Sequence, residues 1–418
     1  MATTDAIAHH AALDARMAKA AKAIRLLSLV SWPASEQQQF LADLARGNPR
    51  LPAYHYPRHD FSDARRELSL IAAAADPSHP LGVYLIESAQ SWVLAAELLE
   101  QLGTTQVTDL SIALFGTPDH VLPGGATTRQ AANHFLLVAD ELDQELLAPS
   151  EQVEISATAL ALQLQAALDD FFDARMIEVE LDPNLIAKAA AGSRKIRLRA
   201  GAAFSDYDMQ QLLQHEAFVH SLTALNGQQQ LVLPSMALSS PRTTATQEGL
   251  AVFAEQITGS IDIERMKRVS LRIEAVAMAL EGADFLQVFH YFMMAGQSEV
   301  ESFTSAQRVF RGVPTTGGSA FTKDTVYLRG LIGVHTFFRW ALKHRKLRLC
   351  RLLFAGKMTL ADVQNFAPLF DDGTLLEPRW LPDWVRRANG LAGVLAFSLF
   401  ANRIRLEQIV DATSVADL

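Results

Sequence analysis

Ser205-Asp206-Tyr207-Asp208 opens and Asn226-Gly227 closes a run with His215-Glu216-Ala217-Phe218-Val219-His220 at its centre. The opening has a capping-box pattern, serine at the cap and an acid three residues on. Met209, Leu212, Leu213, Phe218 and Leu222 follow at helical spacing, so the run reads as a helix. Its two histidines stand five apart. On a regular α-helix, residues four apart are separated by about 40° and share a face, whereas residues five apart are separated by about 140° and cannot grip one ion. A single π-bulge, with about 4.4 residues in its turn, restores the shared face, and such bulges gather at functional sites. The spacing predicts a distorted helix presenting both imidazoles together.

Downstream, Thr246-Gln247-Glu248-Gly249-Leu250-Ala251 places Glu248 at the opening of a second apolar helix, Leu250-Ala251-Val252-Phe253-Ala254. Two imidazoles and a carboxylate are the ligand set of a catalytic zinc with an open fourth position. His215, His220 and Glu248 are therefore the expected Zn2+ ligands, and Glu216, directly after the first histidine, is the expected general base. The pattern points to a metallohydrolase, foremost a peptidase.

The rest of the chain reads as helix for most of its length. Residues 5–30 and 35–45 are amphipathic, Pro49, Pro52 and Pro57 mark an irregular connection, and helices are expected near 62–75, 81–102 and 127–147. Ile177-Glu178-Val179-Glu180-Leu181 and Lys195-Ile196-Arg197-Leu198-Arg199 alternate like strands, and an edge strand beside the motif helix would offer backbone groups to an extended peptide. Helices then continue near 263–282, 284–296, 299–311, 322–344, 359–369 and 382–402. The expected fold is mostly α (α+β) with a small sheet. A helical N-terminal region, 1–149, precedes a zincin-like metallopeptidase domain, 150–418, with the boundary at Pro149-Ser150.

A second group of residues suits an anionic substrate end. Thr322 can cap a helix whose first turn holds Lys323 beside free backbone N–H groups, an arrangement that fits a peptide's C-terminal carboxylate. Tyr327 lies one turn on, on the same face, and could hydrogen-bond an oxyanion. Arg308 and Arg311 are further carboxylate candidates. Gly312-Val313-Pro314-Thr315-Thr316-Gly317-Gly318-Ser319 imitates a phosphate-binding loop, but Gly318 stands where the lysine is required and no strand precedes it, so it reads as an ordinary loop. The basic run Lys343 to Arg348 reads as a solvated helix end, and His290 and His335 sit in apolar helices without ligand partners.

His215-Glu216-Ala217-Phe218-Val219-His220 together with Gln247-Glu248-Gly249-Leu250-Ala251 resembles the QEGLA-motif family, known in bacteria as flavohemoglobin expression-modulating proteins. Its animal relatives are the microtubule-associated tyrosine carboxypeptidases, zinc enzymes that remove the C-terminal tyrosine of α-tubulin. The resemblance covers roughly residues 150–345, including Phe321-Thr322-Lys323-Asp324 and Tyr327. It implies zinc on His215, His220 and Glu248, catalysis by Glu216, and carboxypeptidase action on a peptide or protein C-terminus. A second reading is a catalytically silent regulatory or binding protein that keeps a structural zinc. The two differ at Glu216, which a structural site does not need.

Composition narrows the partners. The 37 basic and 46 acidic residues give a net charge of −9, which argues against nucleic acid and against tubulin's acidic tails. No basic run marks the N-terminal 50 residues, so microtubule binding is not expected. Cys350 is the only cysteine, no signal peptide opens the chain, and the longest apolar stretch, Leu391 to Ala401, falls short of the ~20 residues a bilayer span requires. These features lead to the expectation of a cytoplasmic protein with no membrane partner.

Overall fold

The computed structural model describes residues 2–142, 154–172, 175–183, 185 and 188–401. It is 64% helix and 5% strand, the expected mostly α class with small sheets. The step Pro149-Ser150 lies outside the described residues. Among the described residues, no helix is long and apolar enough to cross a membrane.

The fold is organised by one close helix crossing. Helices Thr244–Ile257 and Val326–Lys343 meet at Gly249 and Gly330. A Cβ on Gly249 would stand 2.1 Å from the carbonyl carbon of Gly330, and one on Gly330 would stand 2.1 Å from Ala245 O. Only glycine lets the two backbones touch. The contact brings Glu248, on the first helix, beside the 3-10 turn Thr322–Thr325 that leads into the second.

Helices from the N-terminal third brace the segments feeding this crossing. On helix Pro80–Glu100, the Tyr84 hydroxyl lies 3.1 Å from Ser235 Oγ and Ser91 Oγ lies 2.9 Å from Ser240 Oγ, which ties down the 234–243 segment. On helix Gln106–Phe115, Ser111 Oγ accepts from Thr322 N at 2.8 Å and Thr108 Oγ1 accepts from Ala320 N at 3.2 Å. These polar groups are buried and mutually satisfied, so the bracing is specific in position as well as in area. Trp32, Phe40, Phe285, Phe289 and Phe303 pack ring against ring nearby, Phe40 and Phe289 with centroids 5.0 Å apart.

Two small sheets precede the motif helix in the chain. Strands β1 (Ile155–Ser156) and β5 (Ala203–Phe204) pair antiparallel. Strands β2 (Glu178–Asp182), β3 (Ala189–Ala191) and β4 (Lys195–Arg199) form a sheet of order β2-β4-β3, with β2 parallel and β3 antiparallel to β4. The edge strand packed on the motif helix is β3, where Ser221 Oγ donates to the nearby Gly192 O at 2.8 Å. Both strands read from the sequence form, but neither is that edge. Three consecutive alanines carry no alternation, so β3 has no strand signature of its own.

Some expected helices have different limits. The 5–30 helix ends at Ala21, with a short helix Leu26–Leu29 beyond it, and the 127–147 helix runs from Thr128 to Glu141. Helix Gln106–Phe115 had no counterpart in the sequence reading. The 359–369 helix breaks into Leu360–Asn365 and Ala367–Asp371, because Pro368 cannot donate the backbone bond that would continue the first. Gly312 to Ser319 is a loop, with Gly312, Gly317 and Gly318 all at positive φ.

Candidate metal centre

The capping box forms as read: Ser205 Oγ accepts from Asp208 N and Asp208 Oδ2 accepts from Ser205 N. Helix Asp206–Gln211 then widens into a π-helix over Leu212–Ser221 before regular winding resumes in Leu222–Gly227. The distortion is a run of ten residues, longer than the single bulge the spacing required. At about 4.4 residues per turn, positions five apart differ by roughly 50° and share a face. Leu222 N donates to Ala217 O, five residues back, and Thr223 Oγ1 donates to Val219 O at 2.7 Å. The rings of His215 and His220 consequently face one point, their centroids 4.9 Å apart.

Helix Thr244–Ile257 starts a turn earlier than the apolar pattern suggested, so Glu248 projects from its second turn. One Glu248 oxygen, Oε2, lies 3.6 Å from Nε2 of His215 and 3.6 Å from Nε2 of His220. Zinc bonds of about 2.0–2.2 Å at a tetrahedral angle separate ligand atoms by about 3.4 Å, a value close to both carboxylate–imidazole distances. Among the described residues, His215, His220 and Glu248 are the one group of three that could hold a metal ion. Glu216 Oε1 stands 4.0 Å from His215 Nε2, beside the same point, and its side chain is a quarter exposed.

The sequence reading missed the group that orients His215. Glu255 Oε1 lies 2.5 Å from His215 Nδ1, which turns Nε2 towards Glu248 and the ring of His220. Glu255 is fully buried and also accepts from Arg265 Nε at 3.2 Å and Nη2 at 3.3 Å. Its signal was available: it stands seven residues after Glu248, two turns along the same face. Burial opposes charge on both carboxylates. For Glu248 the ammonium of Lys323 and the two imidazoles outweigh burial and hold it well below the ordinary range. For Glu255 the counterweights are Arg265 and His215. Burial also opposes a charged His215, yet hydrogen bonds to Glu248 and Glu255 raise its pKa to about 10. A metal ion held here would have to displace that proton.

The anion-binding residues read from the sequence reach this wall but already have protein partners. Lys323 Nζ donates to Glu248 Oε1 at 2.8 Å and to the Tyr327 hydroxyl at 3.3 Å, all three side chains being buried or nearly so. Arg308 grips Asp324 through two bonds of 2.6 Å and reaches the Tyr327 hydroxyl at 3.4 Å. Thr322, expected to cap, turns its hydroxyl to Ser111, and the nearby N–H groups of Phe321 and Thr322 are taken by Val309 O and Ser111 Oγ. The turn is stapled to the N-terminal helices and offers those N–H groups to no ligand. Arg311 is not brought onto the ligand set. Among the described residues its buried Nε has no hydrogen-bond partner, and burial together with Arg308 lowers its pKa to about 10.

Comparison with known proteins agrees with the resemblance and lengthens it. A family model described as microtubule-associated tyrosine carboxypeptidase matches residues 38–403, well beyond the 150–345 stretch that carries the motifs. No curated protein matches the chain.

Proposed function

The chain belongs to the microtubule-associated tyrosine carboxypeptidase family, and from that premise we propose that it is a zinc-dependent carboxypeptidase that releases the C-terminal residue of a peptide or protein. The observation carrying this reading is the 3.6 Å spacing of Glu248 Oε2 from both imidazole Nε2 atoms, with the Glu216 carboxylate alongside and otherwise uncommitted. His215, His220 and Glu248 would hold the zinc, whose Lewis acidity polarises the scissile carbonyl and makes a water's proton removable near neutral pH. Glu216 accepts the proton of the attacking water and later delivers it to the leaving amine. Tyr327 accepts hydrogen bonds from Lys323 and Arg308, which leaves its own O–H proton to donate to the developing oxyanion. Glu255 fixes the ring of His215, and Lys323 anchors the outer oxygen of Glu248.

Glu216 separates this reading from a silent protein with a structural zinc. Among the described residues it makes no hydrogen bond, so the fold does not depend on it, while it faces the point where a reacting water would sit. The family name supplies the first substrate to try, a peptide ending in tyrosine. A net charge of −9 opposes docking on acidic tubulin tails, so microtubule association is not part of the proposal.

The test measures metal content and C-terminal trimming together. Wild-type protein should carry about one zinc per chain, lost in the His215→Ala/His220→Ala double variant. Mass spectrometry on a C-terminally diverse peptide library should show loss of single residues. Glu216→Gln should keep its zinc while turnover falls at least ~100-fold. Metal retained by the double variant, or normal turnover by Glu216→Gln, overturns the assignment.

A further inference from the structure

Most cations around the ligand set are gripped by a carboxylate. Lys323 has Glu248, Arg265 has Glu255, and Arg308 holds Asp324 through two bonds. Arg272 is different. Its side chain is only 18% exposed, its Nε is buried, and it makes no hydrogen bond among the described residues. The one acid within 4.0 Å of it there is Asp324, whose Oδ2 stands 3.9 Å from Arg272 Nε and is already bonded by Arg308 at 2.6 Å. Two guanidiniums thus face one carboxylate, and only one of them grips it. A largely buried cation in surplus is unfavourable, and an anion arriving from outside would neutralise it.

Two chains of contacts tie this guanidinium to the ligand set. Arg265, Arg268 and Arg272 follow one another three and four residues apart on one face of helix Ile263–Leu280, with about 10 Å of helix between the first and the last. At one end, Arg265 reaches Glu255, which holds His215 Nδ1 at 2.5 Å. At the other, Arg308 links Asp324 to the Tyr327 hydroxyl at 3.4 Å, and Lys323 Nζ donates to that hydroxyl at 3.3 Å and to Glu248 at 2.8 Å. Arg265 and Arg268 also line a cavity with Gln211, the residue before the π-helix, so the arginine face is open at that end. Burial, reinforced by Arg308, lowers the Arg272 pKa to about 9, the direction expected of a cation without an acid of its own.

In the reaction proposed above, Tyr327 donates to the oxyanion formed on the scissile carbonyl. The carboxylate carbon of the departing residue is three bonds from that carbonyl's carbon, at most about 4 Å with standard backbone dimensions. Its receptor must therefore stand near the Tyr327 hydroxyl and have free donors. The two cations that touch the hydroxyl, Lys323 and Arg308, are held by Glu248 and Asp324. Arg272 is the guanidinium on the far side of Asp324, and its donors are free.

We propose that Arg272, beside the Asp324–Arg308 pair, is the receptor for the substrate's C-terminal carboxylate and the residue that makes the site prefer a free chain end. The inference rests on the carboxypeptidase reading and goes beyond it by naming the group that selects the terminus. A peptide amide in place of the acid would leave the guanidinium without its counter-ion.

The experiment uses full-length zinc-loaded protein and one short peptide ending in tyrosine, prepared as free acid and as C-terminal amide. Cleavage is followed by mass spectrometry, and binding by calorimetry in the Glu216→Gln background, which removes turnover. With Arg272 present, the acid should bind at least ~tenfold tighter than the amide, on the order of one charge-assisted hydrogen bond. Arg272→Gln should abolish that preference by weakening the acid alone, with zinc content unchanged, and Arg272→Lys should restore part of it. A merely structural role would weaken acid and amide together. Arg272→Met is the alternative should the glutamine variant misfold. A folded, zinc-loaded Arg272→Gln or Arg272→Met protein that still prefers the acid overturns the proposal, as does equal binding of acid and amide with Arg272 present. If the acid binds through Arg272 but neither peptide nor library is trimmed by the protein with Glu216 intact, the carboxypeptidase reading fails while the carboxylate receptor stands.

Discussion

Replacing Glu255 by glutamine keeps the side chain's shape and removes its charge at a fully buried position. The carboxylate serves two donors, His215 Nδ1 at 2.5 Å and the guanidinium of Arg265 at 3.2 and 3.3 Å. Glutamine has one acceptor oxygen and turns an N–H towards whichever donor is left, so one of the two loses its bond. Breaking a buried ion pair from one side costs about 3–5 kcal/mol, which should appear as a lower unfolding midpoint. The effect on metal binding has two opposing parts. Without metal, Glu255 helps keep a proton on His215, so its loss makes that proton easier to displace. With metal, the same carboxylate stabilises a dication, whose charge is twice the proton's, so the loss from the bound state is larger. The net expectation is the 10–100-fold weakening usual for partners of metal-bound histidines, about 1.4–2.7 kcal/mol. Titration of zinc against a competing chelator at constant pH measures it directly. A Glu255→Gln protein with wild-type zinc affinity would refute the orienting role, and a lowered midpoint with unchanged affinity would reduce Glu255 to a structural partner of Arg265.

Gly249→Ala should be far more damaging than an ordinary helix substitution. Its Cβ would overlap the Gly330 backbone at 2.1 Å, so the helices must part and the cost should exceed the usual ~3 kcal/mol of overpacking. Circular dichroism melts and zinc content should fall together, and a stable, metal-replete variant would show that the crossing tolerates separation. Asp14 predicts a pH dependence. Burial raises its pKa from 3.8 to about 7 where it meets Ser235 N and Oγ, so the folded chain keeps a proton that the unfolded chain releases. This contribution is fully present below about pH 4 and fades as pH rises to about 7, by at most about 4 kcal/mol. Urea midpoints of wild type and Asp14→Asn between pH 4 and 8 should differ in slope, the variant being flatter, and parallel curves would remove Asp14 from the account.

The features legible in the chain are those that depend on spacing within a single helix. His215 and His220 stand five apart in a capped apolar run, and a rotation of about 100° per residue made a π distortion the one way to join them. Glu216 and Glu248 followed from the donor chemistry of the same motifs, and the mostly α class followed from long amphipathic periodicity. The pairing of charges was not legible, because partners are chosen across distances that sequence order does not encode. Lys323, Arg308 and Lys357 look alike as residues, but the Gly249–Gly330 contact brings Glu248 to the first, the turn Thr322–Thr325 gives Asp324 to the second, and the 234–243 segment leaves the third with a serine. The edge strand Ala189–Ala191 and the bracing helix Gln106–Phe115 belong to the same class, since their identity comes from what they pack against. Local geometry decided which donor atoms converge on one point, and tertiary packing decided which partner each buried cation meets, because a buried charge takes its character from the nearest opposite charge.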